Sequence, residues 1–334
     1  MRKTRIIISL MIMAAVMLWY GRDRMPLTGS AIASPPGAQI AMPSESEPAP
    51  VVLFCPRDHC MENLVYLINR SEKAHCAFYD LDLPEVIDAL KRKGAEVVVD
   101  GDNYDGNLSF ARHDDENGLM HNKFCVFDEK TVLTGSFNPT KNDNYKNNNN
   151  VIIVFSATLA QNYEAEFQEL WGGRFRKGEK VRNPLVIING TLMENYFCPE
   201  DSCEDHVIRA IASANESVDF MTFSFTSDAI GNALKDRHWA NVTVRGVFEK
   251  SQDNDFNEMP KLEDLGMDVR WDSNKYKMHH KVFIIDRRIV ITGSYNPTKN
   301  GDENNDENVL IIHDPRMAGM YEEEFSRVAN SSVA

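Results

Sequence analysis

Short apolar runs alternate along the chain with longer segments in which apolar residues recur every three or four positions. The first pattern predicts strands and the second predicts helices. Predicted strands lie at 77–81, 96–99, 123–127, 131–134 and 151–155, and again at 218–225, 242–248, 281–285, 289–292 and 309–312. Predicted helices lie near 86–91 and 158–170, near 230–235 and 315–328, and directly after residues 60 and 203. Strands that alternate with helices in this way predict an α/β fold.

The same order of elements occurs twice because the chain contains an internal repeat. FCPRDHC at 54–60 recurs as FCPEDSC at 197–203, and MHNKFCVFDEKTVLTGSFNPTKN at 120–142 recurs as MHHKVFIIDRRIVITGSYNPTKN at 278–300. We predict a first repeat over 51–171, a connector over 172–190 and a second repeat over 191–330. Two such units in tandem suggest a pseudo-two-fold pair whose equivalent loops face each other across one cleft.

The first 25 residues differ in character from the rest. A basic start precedes an uncharged apolar run from Ile6 to Tyr20, which predicts an export signal or an N-terminal membrane anchor, with a buried soluble helix as a third interpretation. The run is shorter than the roughly 20 residues of a spanning helix. Residues 26–50 are rich in Pro, Ser, Ala and Gly, which predicts a flexible linker. With the basic flank inside, the rest of the chain would be extracytoplasmic, either secreted or membrane-anchored.

Composition and charge narrow the functional classes. The 334 residues are 43% hydrophobic and 26% charged, which excludes collagen-like, coiled-coil and wholly disordered proteins. The formal net charge is −14, of which residues 1–25 carry +4 and the remainder −18. Neutralising many phosphates requires an excess of Lys and Arg, so this balance argues against a protein that coats nucleic acid. It leaves room for a local basic cleft.

The repeated block carries a charged motif with fixed spacing. Each copy has the pattern His-x-Lys-x-x-x-x-Asp, as His121, Lys123 and Asp128 and again as His279, Lys281 and Asp286. Residues i and i+2 of a strand share one face. The His and Lys of each copy are therefore predicted to project into the same space.

A second block adds neutral polar groups to this space. Gly-Ser-aromatic-Asn follows each charged motif and offers hydrogen-bonding side chains for phosphate oxygens at Ser136, Asn138, Ser294 and Asn296. Two imidazoles and two ammonium groups, with no evident metal-ligand cluster, favour metal-independent cleavage of a phosphodiester. One His would attack phosphorus to form a phosphohistidine, and the other would protonate the leaving oxygen. We expect no metal ion and no cofactor.

These motifs resemble the phospholipase D superfamily, whose signature is a pair of His-Lys-Asp motifs, each followed by Gly-Ser-x-Asn. The resemblance covers residues 51–330, and the segments MHNKF and TGSFNPT are most similar to compact members, the small bacterial endonucleases and the mitochondrial cardiolipin hydrolases. It implies two tandem phospholipase D-like repeats, each a mixed β-sheet flanked by helices, with one shared active site and no metal requirement.

The resemblance also implies roles for single residues. The two His would be nucleophile and acid, the two Lys would bind phosphate, and the Ser and Asn residues of the second block would line the site. Asp128 and Asp286 complete the catalytic motif, and we expect their carboxylates to hold local structure rather than react.

One position departs from the family pattern. In the family a Glu usually lies in the segment after Gly-Ser-x-Asn and bonds the second ring nitrogen of a catalytic His. The second copy has this residue as Glu307, which we include among the catalytic residues, but the first copy has Asn149. An Asn can accept that hydrogen bond but cannot stabilise an imidazolium as a carboxylate does. We therefore expect the two His to differ electrostatically. In the family the N-terminal His is the nucleophile, which favours His121 here, and the departure at Asn149 keeps His279 as the alternative.

Four cysteines form two closely spaced pairs, Cys55 with Cys60 and Cys198 with Cys203. In an exported chain these pairs predict two local disulfides. A shared four-cysteine zinc site and free thiols are the alternatives. Cys76 and Cys125 lie at or within apolar strands, which predicts two buried small hydrophobic side chains.

The sequence supports three functional hypotheses. The first is a phospholipase D-type hydrolase of phospholipid head groups at the membrane to which the N-terminus directs it. The second is an exported or membrane-tethered endonuclease of the same superfamily. The third is a non-catalytic phosphate-binding module, which Asn149 suggests. The expected partners are a phospholipid or nucleic-acid substrate and the membrane, and no protein partner can be inferred.

Overall fold

The computed structural model describes residues 42–104, 106, 108–114 and 118–332. The predicted signal or anchor over 1–25 lies outside these residues, as does the first part of the predicted linker, 26–41. Within the described part of the chain, no helix is both long enough and apolar enough to cross a membrane. The first described element is a two-residue strand, β1 (Ser44–Glu45).

The first repeat forms a seven-stranded mixed sheet. Its strands are β2 (Val51–Cys55), β3 (Ala74–Phe78), β4 (Glu96–Val99), β5 (Ala111–His113), β6 (Lys123–Phe127), β7 (Thr131–Gly135) and β8 (Asn149–Phe155). Its helices are α1 (Cys60–Arg70), α2 (Pro84–Lys93), α3 (Lys141–Tyr145) and α4 (Ala157–Trp171). The strand order is β2-β8-β7-β6-β3-β4-β5. Along this spatial order, each strand from β2 to β3 pairs antiparallel with its neighbour, and β4 pairs in parallel with both β3 and β5.

The second repeat builds the same sheet and adds two strands at one edge. Its strands are β9 (Leu185–Ile188), β10 (Thr191–Cys198), β11 (Ser217–Thr222), β12 (Thr243–Phe248), β13 (Asp268–Trp271), β14 (Lys281–Ile285), β15 (Ile289–Gly293) and β16 (Glu307–Ile312). Its helices are α5 (Cys203–Ala212), α6 (Asp228–Trp239), α7 (Met259–Glu263), α8 (Lys299–Glu303) and α9 (Pro315–Asn330). The order β1-β9-β10-β16-β15-β14-β11-β12-β13 reproduces the first sheet from β10 onward.

The two mixed sheets confirm the predicted α/β architecture of two tandem units. β6 and β14, which carry the charged motifs, have the predicted bounds. The connector and the linker differ from the prediction at one place each. β9 lies within 172–190 and buries Val186 and Ile188, and β1 lies within 26–50 and pairs with β9 in parallel. These two short segments are therefore strands of the second sheet.

One hydrophobic core joins both repeats. It contains residues of both sheets and of α4 and α9, among them Phe124 and Tyr163 from the first repeat and Val282 and Tyr321 from the second. Alternation along β6 places Phe124 in this shared core and Cys125 in a separate cluster with α1 and α2. The shared core fixes the two strands that carry the charged motifs relative to each other.

All six cysteines are paired in disulfides. Cys55–Cys60 and Cys198–Cys203 are the predicted local bridges, so the zinc-site and free-thiol alternatives are wrong. Cys76 and Cys125 are buried, as predicted, but they also form a bridge. They lie directly opposite each other on β3 and β6, with 4.1 Å between their Cα atoms. This disulfide depends on the register between two strands that are far apart in the sequence, and the apolar pattern of each strand does not specify that register.

Candidate active site

Main-chain hydrogen bonds hold each His-Lys motif against the other repeat. The residue before His121 forms a β-bridge with Asp306, and the residue before His279 forms one with Asn148. The His121 N–H donates to the Asp306 carbonyl at 3.0 Å, and the His279 N–H donates to the Asn148 carbonyl at 2.8 Å. Asp306 and Asn148 directly precede β16 and β8. These crossed contacts bring the starts of β6 and β14 together.

Both motif histidines line one cleft of about 660 Å³. Its walls come from both repeats and consist mainly of residues with polar side chains, with Asn138, Asn147 and Asn296 among them. A neighbouring trough of about 550 Å³ shares part of this wall and continues along three further Asn residues, Asn300, Asn304 and Asn305. The structure therefore confirms a single cleft shared by the two repeats, and the Asn-rich segments 141–150 and 300–308 form part of its rim.

The His121 ring is oriented by the other repeat. Its Nδ1 lies 2.8 Å and 2.9 Å from the two carboxylate oxygens of Glu307, the first residue of β16. Glu307 is fully buried and also accepts a hydrogen bond from the Ser294 hydroxyl at 2.6 Å. The Tyr79 ring packs edge-on against His121, with 4.8 Å between ring centroids. Because the carboxylate engages Nδ1, Nε2 is the ring nitrogen left for chemistry.

The His279 ring has an equivalent but uncharged partner. Its Nδ1 lies 2.9 Å from Oδ1 of Asn149, the first residue of β8. The Phe223 ring packs against it with 4.7 Å between centroids, in the place that Tyr79 takes beside His121. The predicted inequality of the two His is therefore present in the structure. The orienting side chain of each His comes from the opposite repeat, which the sequence analysis did not foresee.

Burial and neighbouring charges set the protonation of the two rings. Burial lowers the pKa of His121 to about 4, although the Glu307 carboxylate partly opposes the shift. Burial also lowers the pKa of His279 well below its usual value, and the charges of Lys281 and Lys123 add to the effect. Both rings are therefore neutral at pH 7 and carry the Nδ1 proton that their hydrogen bonds require.

The two motif lysines are buried behind their histidines. Lys123 and Lys281 are 1% and 3% exposed. The Lys123 Nζ donates to the His121 carbonyl at 2.7 Å, and the Lys281 Nζ donates to the His279 carbonyl at 3.0 Å. Burial lowers the pKa of Lys123 to about 8 and that of Lys281 well below its usual value, with repulsion from Lys123 contributing to the second shift. The His-Lys proximity agrees with the prediction, and contact with phosphate remains a prediction.

The Gly-Ser-x-Asn residues divide into two roles. Asn138 and Asn296 line the cleft, and the Oδ1 atom of each is buried without a hydrogen-bond partner among the described residues. Ser136 and Ser294 are fully buried behind it. The Ser294 hydroxyl bonds Glu307, and the Ser136 hydroxyl bonds Asn149 at 3.1 Å. The expectation that these serines line the cleft is therefore wrong, because each one instead holds the residue that orients a His.

Asp128 and Asp286 lie in the turns at the opposite ends of β6 and β14. From Lys123 to the end of β6 the strand rises about 13 Å. Asp128 and the next residue have φ of 51° and 54°, as in a type I′ hairpin turn, and Asp286 opens the equivalent turn. The Asp128 carboxylate accepts main-chain N–H bonds from Glu72 and Lys73, both at 2.8 Å. The expected structural role is confirmed, and their inclusion among catalytic residues is wrong because they lie too far from the cleft.

Some cleft residues were not singled out by sequence reasoning. Tyr79 and Phe223 each follow the last residue of an equivalent strand, so aligning the repeats could have revealed them. Lys277 lines the cleft just before the second motif, and its Nζ lies 5.4 Å from the Phe223 ring. Asp143 lines the cleft from α3. Among the described residues, no group of three or more His, Cys, Asp or Glu side chains is placed to hold a metal ion.

Comparison with known proteins agrees with this geometry. The family model described as "Cardiolipin synthase, PLD-like domain" matches residues 65–171 and 207–329, once in each repeat. A mitochondrial cardiolipin hydrolase from Homo sapiens is 36% identical over 133 residues, covering 38% of this chain and 51% of the relative. A phospholipase D from Rickettsia typhi is 32% identical over 139 residues, covering 41% of this chain and 68% of the relative. The chain spans about half the length of the mammalian cardiolipin hydrolases it matches.

A solved structure extends the comparison to both repeats. Phosphatidylserine synthase from Haemophilus influenzae Rd KW20 matches with a TM-score of 0.65 at 13% identity, over 84% of this chain and 87% of that chain. At this identity the match shows the fold alone. The two family-model matches together cover more than half of the chain, and one lies in each of the repeats that form the shared cleft. The protein therefore belongs to the phospholipase D-like family.

Proposed function

We propose that the shared cleft hydrolyses phosphodiester bonds without a metal ion, through a phosphohistidine on His121. The observation that carries the proposal is the pair of His rings on one cleft, which differ at Nδ1. In His121 this nitrogen lies 2.8 Å from the Glu307 carboxylate. In His279 it bonds the Asn149 amide oxygen at 2.9 Å and lies farther, 3.5 Å, from the carboxylate of Asp143. A carboxylate on Nδ1 stabilises the positive charge that a nucleophilic imidazole gains as its Nε2 attacks. His279, bonded to the neutral Asn149, is then the acid.

The proposed reaction has two steps. In the first, the Nε2 lone pair of His121 attacks phosphorus, the bond to the leaving oxygen breaks, and His279 gives that oxygen a proton. In the second, His279 takes a proton from water, the water oxygen attacks phosphorus, and the phosphorus–nitrogen bond breaks. Lys123 and Lys281 stabilise the negative charge of the non-bridging oxygens in both steps. The products are an alcohol and a phosphomonoester.

His279 must gain a proton before it can act as an acid. Burial, together with the charges of Lys281 and Lys123, holds the pKa of this ring low. A phosphodiester carries a negative charge, and an anion beside these lysines favours the protonated ring. We infer that substrate binding and proton uptake by His279 are coupled.

Phospholipid head groups are the proposed substrate. The basic and apolar segment over 1–25 would place the enzyme at a membrane, and relatives named cardiolipin hydrolase and phospholipase D support lipid chemistry. We infer an extracytoplasmic location from the same segment, and the three disulfides support it because they persist in oxidising compartments.

An endonuclease is the second candidate. The cleft continues into a trough lined by Asn300, Asn304 and Asn305, and a polar groove that extends beyond the two His suits a linear polymer of phosphodiesters better than an acyl chain. A non-catalytic phosphate-binding module is the third candidate, and Asn149 beside His279 is the feature that supports it.

One substrate panel separates the three candidates. The full chain would be incubated in EDTA with phosphatidylcholine, cardiolipin and single-stranded DNA. Turnover of lipid without DNA cleavage supports the first candidate, the reverse supports the second, and no turnover in EDTA or in added divalent metal supports the third. If activity disappears in EDTA while circular dichroism shows an intact fold, the metal-independent mechanism is wrong.

A further inference from the structure

The short helices α3 and α8 occupy equivalent places in the two repeats, but only α3 presents a carboxylate to the cleft. Alignment of KNDNYKNNNN at 141–150 with KNGDENNDEN at 299–308 places Asp143 opposite Gly301 and Asn149 opposite Glu307. At these two positions the second repeat has Gly and Glu, whereas the first has Asp and Asn. At this pair of positions each repeat therefore has one carboxylate, but the two carboxylates lie on different elements.

Packing explains why the second repeat has no side chain at this place. A Cβ on Gly301 would lie 2.3 Å from the main-chain oxygen of Asn296, so any side chain there would displace the backbone. In the first repeat the Asp143 side chain is accommodated and is 3% exposed. Its Oδ2 accepts the main-chain and side-chain N–H groups of Asn138 at 2.9 Å and 3.0 Å, and its Oδ1 accepts from Asn147 at 2.7 Å. These donors fix the carboxylate at the cleft.

The fixed carboxylate lies beside the second histidine. The Asp143 Oδ2 is 3.5 Å from Nδ1 of His279, the nitrogen that also bonds Asn149. Lys281, Lys123, Lys277 and the His121 ring also act on this ring, and all four oppose its protonation. The same cleft wall further contains Asp80 and Lys275. Asp143 is the carboxylate at ion-pair distance from His279 among the described residues.

We propose that Asp143 supplies beside His279 the negative charge that Glu307 supplies beside His121 and that Asn149 lacks, and so enables His279 to act as the proton donor. Asp143 is a positioning residue, because it acts through His279 and has no role in bond breaking. The proposal rests on the proposed phosphodiesterase mechanism. It adds that the two repeats carry this carboxylate on different elements, the first on α3 and the second at the start of β16.

The test uses Asp143→Asn, Asn149→Glu and the double variant in the full chain. A carboxylate at this distance favours the protonated His, so Asp143→Asn should lower the pKa of His279 by about one pH unit. Because the acid must be protonated, the alkaline limb of the kcat/KM profile should move to lower pH by the same amount. Asn149→Glu should move the limb to higher pH and should restore it in the Asp143→Asn background. Asp302→Asn, an equivalent change in α8 at a carboxylate that bonds a main-chain N–H, should leave the limb in place.

The outcomes distinguish this inference from the proposed function. A rate loss in Asp143→Asn with an unmoved limb and no rescue by Asn149→Glu would assign Asp143 to loop structure only and overturn the inference. An NMR titration of the His279 ring gives the same comparison without turnover, so a chain that hydrolyses nothing refutes the function but still tests this electrostatic link. If Asp143→Asn alone does not fold, the double variant is compared with Asn149→Glu. The proposal predicts an alkaline limb at lower pH in the double variant, and a limb at the same pH in both contradicts it.

Discussion

Replacing Glu307 by Gln removes one charge from the centre of the site and keeps the side-chain shape. In the native protein the carboxylate accepts from His121 Nδ1 at 2.8 Å and from the Ser294 hydroxyl at 2.6 Å. A Gln carbonyl can accept both bonds, so the fold should survive. The imidazole would lose the negative charge that stabilises it while its Nε2 forms a bond to phosphorus.

The structure sets the scale of the effect. For unit charges about 4 Å apart and an effective dielectric constant of about 20, the attraction is about 4 kcal/mol. If about half of the positive charge has developed on the ring in the transition state, the loss is about 2 kcal/mol, or about 30-fold in rate. The Gln amide can also donate to Nδ1, which would move the ring proton to Nε2 and block attack. We therefore expect a loss of at least about 30-fold.

The assay is steady-state hydrolysis of the substrate identified by the panel. Glu164→Gln is the matched control, because Glu164 makes a similar bond to a buried His, at 2.9 Å from His75 Nδ1, outside the cleft. The control should retain its rate, and both variants should keep the native circular dichroism spectrum. A folded Glu307→Gln variant within about threefold of the native rate would refute the assignment of this carboxylate to the nucleophile.

Three further predictions follow. Burial raises the pKa of Glu324, but hydrogen bonds with Arg327 and His280 outweigh it and hold the pKa at about 2. Glu324→Gln should therefore lower the free energy of unfolding by about 3 kcal/mol at pH 7, measured by urea titration. The difference from the native protein should shrink as the pH falls below about 4.5, and a difference that does not change with pH contradicts this prediction. The Cys76–Cys125 bridge spans 49 residues and the Cys198–Cys203 bridge five. Replacing the first pair by Ala should cost about 4 kcal/mol and the second about 2 kcal/mol, and the reverse order would refute the loop-entropy argument. Ala at either His121 or His279 should abolish turnover, and a substantial residual rate in either variant argues against a shared site.

The repeat and the strand period made the core of the site predictable. The separation of two residues between His121 and Lys123 placed both on one face of a strand, and the second copy placed a matching pair in the other half. Asp128 was correctly expected to hold local structure, and in the structure its carboxylate accepts main-chain N–H bonds from Glu72 and Lys73. The placement of each His-Lys pair depends on residues close together in the sequence.

The contacts that cross between repeats could not be predicted in this way. Glu307 lies 186 residues from His121, and its choice of that ring depends on how the two sheets pack. The Cys76–Cys125 bridge likewise depends on strand register. Ser136 and Ser294 were assigned to the cleft wall because their motif is polar, but side-chain direction at a strand end decided otherwise. The family resemblance identified the residue types of the site, but which His contacts Glu307 and which contacts Asn149 depends on how the two repeats pack.

The most direct test of the account is to locate the covalent intermediate. The His279→Ala variant of the full chain would be mixed with an aryl phosphodiester, whose leaving oxygen needs no proton, and quenched in alkali, in which phosphohistidine survives. Peptide mass spectrometry then maps the phosphoryl group. We predict a stable phosphorylated peptide that contains His121, because loss of His279 removes the base that activates water for the second step. A phosphoryl group on His279 in the His121→Ala variant, or no labelled His in either variant, would contradict the assignment of His121 as the nucleophile.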